Sequence, residues 1–309
     1  MLDCADACLL LAEELDHERN VFTASLRSRC VCFQSVVQGD SSLELWKRAG
    51  AMVSTITGLG LHLEVNTTEP VAALYREFRA NIFSRAFVMA SNVSINISMI
   101  NTDARQQDKC IASFTGRPPA LSRRYVTCPL ELDLPASVVY RESDYSVLKT
   151  MVDADGWAFQ ENPASYPAAF HRAFMIMWTI RDEILEVTLG KQENLAMKAA
   201  QLRQKHKAAY DSLPEWLRRE PTAEQFRSSG GGHGVIFALV KVSLRNVMAT
   251  NCLLIERITT EGRDEAWMLQ TAKFMLNNVL LIWNNRYEHC MYSMALLTIE
   301  QRPMHHAPR

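Results

Sequence analysis

The run Asp40-Ser41-Ser42-Leu43-Glu44-Leu45-Trp46-Lys47-Arg48-Ala49-Gly50-Ala51-Met52-Val53-Ser54-Thr55-Ile56-Thr57-Gly58-Leu59-Gly60 decides the fold class. Asp40, Ser41 and Ser42 carry side-chain oxygens that cap the free N–H groups of a helix start, with Glu44 or Leu45 in the first turn. Leu45, Ala49, Met52, Val53 and Ile56 then recur at helical spacing and form one apolar stripe. Gly58 and Gly60 mark its end.

The same period runs outward in both directions. Upstream, Ala7, Leu10, Leu11 and Leu15 fit a first helix, and residues 22–37 continue in that style. Downstream, Pro70 sits at a first-turn position and opens a helix over 71–89. Pro163 and Pro167 precede a long amphipathic helix over 168–189, stopped by Gly190. Residues 192–213 form a second long helix, and Pro214-Glu215-Trp216-Leu217 reads as a turn that tucks one Trp inward. After a glycine-rich linker at 228–234, helices are expected over 235–258 and 264–297. Alternating β-branched runs are scarce, and no strand–helix alternation suggests a dinucleotide fold. The expected fold is all-α, multi-helical.

The middle differs. Gly116-Arg117-Pro118-Pro119 breaks helix, because proline lacks an N–H and fixes its own φ. Pro129 and Pro135 keep 127–136 extended or looped. One helical domain over 1–300 is expected, with sub-units 1–136 and 163–300 joined by this loop-rich segment. Residues 301–309 read as a frayed tail.

Composition bounds the function. The chain has 309 residues, 48% hydrophobic and 22% charged, which is globular rather than disordered. Thirty-three basic against thirty-four acidic side chains give a net charge of −1, unsuited to coating nucleic acid or an anionic membrane. No segment approaches the roughly 18–20 apolar residues of a membrane span. The N-terminal residues are acidic where a secretory signal carries Lys or Arg, so an intracellular, soluble protein is expected, and the sequons at Asn66, Asn92 and Asn96 are read as chance.

No metal or catalytic motif emerges. Among eight cysteines there is no Cys-x2-Cys pair, and most are expected to be small buried hydrophobes. Cys4 and Cys8 with His17 make the best metal candidate, and it is weak. Ser229-Gly230-Gly231-Gly232-His233-Gly234 follows no strand and lacks the Gly-Lys-Ser/Thr that grips phosphate, so it reads as a linker. Asp182, Glu183 and Glu186 share a helix face and read as solvated charges. The histidines His17, His62, His171, His206, His233 and His289 lack metalloprotease spacing. The chain is expected not to be an enzyme. Phe174, Met177, Trp178 and Trp283, beside Trp46, are the residues that would line an effector pocket, although each reads first as core filler.

Three stretches together carry a resemblance. Trp46-x2-Ala49-Gly50-x-Met52 leading to Thr57-Gly58-Leu59-Gly60-Leu61-His62 is the first. Asp108-Lys109-x2-Ala112-x3-Gly116-Arg117-Pro118, followed by Leu121 and an x-Pro-Leu-x-Leu-Asp-Leu-Pro run ending at Pro135, is the second. Tyr210-Asp211-Ser212-Leu213-Pro214-Glu215-Trp216-Leu217 is the third. In this order they resemble the fungal-specific transcription factor domain, the middle homology region of Zn2Cys6 binuclear-cluster regulators, over residues 9–297. The roles expected of these residues are structural: a turn at Gly116, a donor fork on Arg117 with Asp108 as partner, and a helix stop at Pro118.

That resemblance implies a regulatory domain controlling RNA polymerase II transcription in the nucleus. Implied partners are the transcription machinery or co-regulators, a small-molecule effector and a second copy in a homodimer. DNA would be reached only through a zinc-cluster domain. This chain lacks the Cys-x2-Cys-x6-Cys pattern, so zinc is expected only if such a cluster lies upstream and no cofactor is expected in the chain itself. The rival readings are a stand-alone helical ligand- or protein-interaction module and, distantly, a helical enzyme on an apolar substrate.

One departure is internal. The family pattern runs from its Arg-Arg-x2-Phe-Trp segment into the Asp without a break, whereas here Ser84 replaces Trp and residues 90–107 intervene. Joining Phe87-Val88-Met89 to Asp108-Lys109-Cys110 restores the spacing. The insert, rich in Asn, Ser and β-branched residues, reads either as a loop between shortened helices or as a retained intron translated in frame.

Overall fold

The structure, a computed structural model, describes residues 2–15, 20–38, 43–65, 73–89, 121–142, 144–161, 166–190, 193–221, 233–258 and 265–284. These form eleven α-helices, one short 3-10 turn at Arg123–Tyr125 and no β-strand. The fold is all-α. The helices are α1 Leu2–Leu15, α2 Val21–Gln38, α3 Leu43–Gly58, α4 Ala73–Met89, α5 Ala136–Val139 and α6 Tyr145–Thr150. They continue with α7 Tyr166–Leu189, α8 Leu195–Asp211, α9 Glu215–Arg218, α10 His233–Glu256 and α11 Glu265–Asn284. No helix among the described residues is long and apolar enough to cross a membrane.

The α3 stripe behaves as its period requires. Ala49, Met52, Val53 and Ile56 are all buried, and the helix stops at Gly58 with Gly60 in the left-handed region (φ +63°). Along the chain, α1 packs on α2, α2 on α3 and α4, and α4 on α7. Helix α7 then packs on α8 and α10, and α10 carries α11. The centre is therefore α7, which buries residues on nearly every side: Phe170, Phe174, Met177, Trp178, Arg181 and Ile184. Its neighbours α4, α8 and α10 enclose these residues, while Glu183 and Glu186 stay partly exposed.

One core cluster joins Met52, Ile56 and Phe83 from the first half of the chain to Trp178, Leu217, Phe237 and Leu244 from the second. Residues of both stretches 1–136 and 163–300 thus share one interior. A second cluster, Leu132, Leu134, Val139, Leu148 and Val152, lies under the segment between α4 and α7. A third, with Ile180, Ile184, Leu202 and Ile255, sits where α7, α8 and α10 meet.

Three local expectations are corrected. Leu10 and Leu11 of α1 face solvent, 61% and 55% exposed, so the α1 stripe is not its inward face. Helix α1 is held partly by charge: Arg48 of α3 grips both Asp6 oxygens, and Arg27 of α2 meets Glu13 at 2.5 Å. In addition, Cys4 and Cys8 are exposed rather than buried. The glycine-rich linker is shorter than its sequence suggests, since His233 and Gly234 already belong to α10. The rest of that linker, the insert at 90–107 and the tail at 301–309 lie outside the described residues.

Candidate functional site

The Gly58–His62 turn is a junction. The His62 carbonyl accepts the N–H groups of Thr127 (2.9 Å) and Cys128 (3.0 Å), and Glu64 N–H donates to the Thr127 hydroxyl at 2.9 Å. Arg79 of α4 donates from Nη2 to the Gly60 carbonyl at 2.7 Å. Leu61, fully buried, anchors the turn in the core. The first motif is thereby hydrogen-bonded to the start of the run that ends at Pro135. The Trp46 side chain, together with Asp108, Lys109, Gly116, Arg117 and Pro118, lies outside the described residues.

That run carries a feature which sequence reasoning missed. Leu130-Glu131-Leu132-Asp133-Leu134 alternates acids with leucines, and Glu131 and Asp133 are as buried as their neighbours. Glu131 lies 2.8 Å from His171 Nδ1 and accepts from the Asn81 amide at 2.8 Å. Asp133 accepts the Ala158 N–H at 3.1 Å. Arg172 of α7 donates to the Glu131 carbonyl at 2.8 Å, with its guanidinium 5.2 Å from the centre of the Trp157 ring. From α4, Glu77 accepts the Leu132 N–H at 2.9 Å. Burial pushes the Glu77 carboxyl up to about 7, against that N–H, with Glu131 adding to the rise. This polar seam ties the extended segment to α4 and α7. The signal was present, as acids inside an apolar run, but their partners lie tens of residues away.

The third motif seats α9. Pro214 accepts the Leu217 N–H at 3.0 Å, and Arg218 Nε returns to the Leu213 carbonyl at 2.9 Å. Leu213 and Leu217 are buried, and Trp216 stacks on Phe237 of α10 with ring centres 5.6 Å apart. The inward Trp is where its sequence places it.

Phe174, Met177 and Trp178 sit in the core cluster. The Trp283 side chain lies outside the described residues. A groove of about 560 Å3 lies elsewhere, between the 3-10 turn, α7 and α8, and none of those three residues lines it. Its walls are charged. Arg124 holds Glu186 at 2.8 Å and Lys205 holds Glu183 at 2.6 Å. Asp182 is not a solvated helix charge, as the sequence suggested. It is 1% exposed and accepts the Arg123 N–H at 2.7 Å, fixing the 3-10 turn to α7.

Two side-chain pairs resemble catalytic arrangements and neither is poised for catalysis. Cys252 Sγ and His206 Nδ1 are 3.5 Å apart. Burial pushes the Cys252 thiol up to about 11, with Glu256 adding to it, and pushes His206 down to about 4, with Arg181 adding to that. Both are neutral near pH 7, so no thiolate–imidazolium pair forms. The Glu131–His171 pair is held inside the seam with its acid only 3% exposed. Among the described residues no three His, Cys, Asp or Glu side chains converge as metal ligands, and His17 lies outside them.

No family model, curated protein or solved structure matches the chain.

Proposed function

We propose that this chain is the regulatory domain of a fungal Zn2Cys6-type transcription factor, acting in the nucleus on RNA polymerase II transcription. The observation that carries the reading is the order of three motif blocks: Trp46 to His62, Asp108 to Pro135, and Tyr210 to Leu217. The physical coupling of these blocks supports it. The turn that ends the first is bonded to Thr127 and Cys128, and Trp216 of the third packs on the shared core. Turns that serve as structural joints suit a domain whose output is a surface or a conformation rather than a reaction.

On this reading the domain works through co-regulators, a small effector or a second copy, and reaches DNA only through a zinc-cluster domain. It holds no zinc itself and is not an enzyme. The second reading, a stand-alone interaction module, is favoured by the net charge of −1 and the lack of any Cys-x2-Cys in the chain.

Sequencing of full-length transcripts from the native locus tests the proposal. An in-frame exon encoding the Cys-x2-Cys-x6-Cys pattern upstream is the expected result. Transcripts that all begin translation at Met1 sink it in favour of the interaction module. The same reads show whether residues 90–107 survive splicing.

A further inference from the structure

Several arginines of this fold meet a carboxylate: Arg27 with Glu13, Arg48 with Asp6, Arg124 with Glu186, Arg203 with Glu256, Arg219 with Glu215 and Arg245 with Glu220. Three cations that do not are brought to one place. Arg76 and Arg79, three apart on α4, and Lys149 of α6 line a single cavity of about 60 Å3, closed by Leu63–Val65 on one side and by Cys128 and Pro129 on another. None of the three is ion-paired with a described carboxylate.

Their positions are built rather than splayed. Arg76 and Lys149 both lie against the Tyr145 ring, their charged centres 5.3 and 5.1 Å from its centroid. Arg79 is fixed by the Gly60 carbonyl at 2.7 Å and by the Tyr75 hydroxyl at 3.3 Å. The Nε atoms of both Arg76 and Arg79 are buried and have no acceptor.

Two of the other lining groups are uncharged. Burial pushes the Cys128 thiol up to about 12 and the Tyr145 phenol up to about 12, so both are uncharged near neutral pH. Glu64 is the single acid in the lining, and it stands at the exposed rim. Glu77, on the same helix as the arginines, accepts the Leu132 N–H and also bonds the Tyr145 hydroxyl, so its carboxyl lies just behind the lining. The lining itself carries three cations and one acid, with Glu77 behind it.

We propose that Arg76, Arg79 and Lys149 form a binding site for a phosphate-type oxyanion, either the free ion or a small phosphate monoester. Guanidinium forks match the tetrahedral oxygens, and the lysine adds a point charge. The cavity holds one such group and not a nucleotide. Leu63, Val65 and Pro129 leave an apolar margin for a short organic stub. The site stands on its own residues and does not depend on the chain being a transcription regulator.

Calorimetric titration of the full chain with inorganic phosphate, at ionic strength held constant with sodium chloride, tests the proposal. Phenyl phosphate and acetate are run as parallel titrants. Saturable binding of one phosphate is expected, weakened about tenfold or more in Arg76→Gln and in Lys149→Gln, with the far-ultraviolet circular dichroism of both variants unchanged. Tighter binding of phenyl phosphate than of phosphate assigns the ligand to the monoesters, and the reverse assigns it to the free ion. Arg203→Gln, remote from the cavity, is expected to bind like the parent. Absence of saturable phosphate binding overturns the site. So does phosphate binding that both cavity variants retain, and acetate binding without phosphate binding overturns the ligand class.

Discussion

Arg79 donates to the carbonyl of Gly60, nineteen residues before it in the chain, and so binds the end of α3 to the middle of α4. The carbonyl points at Arg79 because Gly60 turns the backbone through φ +63°. At that angle any other L-residue meets a steric penalty of about 1–2 kcal/mol. Nothing else crowds the position, since a Cβ there would find only Leu63 Cδ1 at 3.9 Å. Gly60→Ala is therefore expected to lower unfolding free energy by about 1–2 kcal/mol in urea titrations, and Gly60→Asn by less. An alanine variant as stable as the parent would remove the turn from the account of how the motif works.

Gly156 differs in kind. Its φ is +80°, and a Cβ would lie 2.8–2.9 Å from Cζ and the two terminal nitrogens of the Arg172 guanidinium. That guanidinium is not free to step aside, being held against Trp157 and the Glu131 carbonyl. Gly156→Ala thus adds overpacking to backbone strain and is expected to cost on the order of 2–4 kcal/mol. A double-mutant cycle separates the two effects. In an Arg172→Ala background the clash is gone, and the glycine substitution should cost only its backbone share, about 1–2 kcal/mol. Equal costs in both backgrounds would mean that the contact carries nothing.

These two glycines show what the sequence could and could not tell. Gly60 closes an apolar stripe whose period announces a helix, so its role as a stop is readable from neighbours in the chain. Gly156 lies in a stretch with no period, and its constraint comes from an arginine on another helix. The same divide runs through the site. Leu213 and Trp216 pack on the core as local spacing requires, while Asp182, which reads as a solvated charge, and Glu131 and Asp133 are buried by partners 25 or more residues away. Burial of a charge is decided by tertiary pairing, which a single sequence does not display. The exposed Leu10 and Leu11 make the converse point, since spacing identifies a helix without naming the face that is covered.

Two buried groups set opposing pH dependences. Glu77, raised from 4.5 to about 7, contributes stability that is complete below about pH 4.5 and is lost as pH rises through about 7. His206, lowered from 6.5 to about 4, contributes stability that is complete above about pH 6.5 and is lost as pH falls through about 4. Between these limits the two slopes oppose each other. Glu77→Gln keeps an oxygen for the Leu132 N–H and removes the titration. Relative to the parent it should gain on the order of 2–3 kcal/mol as the pH is raised from about 4.5 to 8. His206→Leu should gain a similar amount, on the order of 2–3 kcal/mol, as the pH is lowered from about 6.5 to 4. Urea titrations across this range, read as variant minus parent, check both. A flat difference for either variant refutes the assignment for that residue.

Helix α10 is coupled to α7 through Asn251, which is fully buried. Its oxygen accepts from Arg181 Nε, and its amide donates to the Met177 carbonyl at 3.0 Å. Arg181 is itself 2% exposed and lies over the Trp178 ring, so Asn251 helps to keep a charge inside the core. Removing one partner of a buried charged group costs more than the bond itself, because the other group loses an acceptor without regaining water. Asn251→Ala is expected to destabilise by on the order of 2–4 kcal/mol. Asn251→Asp keeps an acceptor for Arg181 and adds an opposite charge, forfeiting only the donor to Met177, and should recover part of that loss. If the aspartate variant is no more stable than the alanine variant, the work of Asn251 lies with the Met177 carbonyl, and Arg181 is held by its other neighbours.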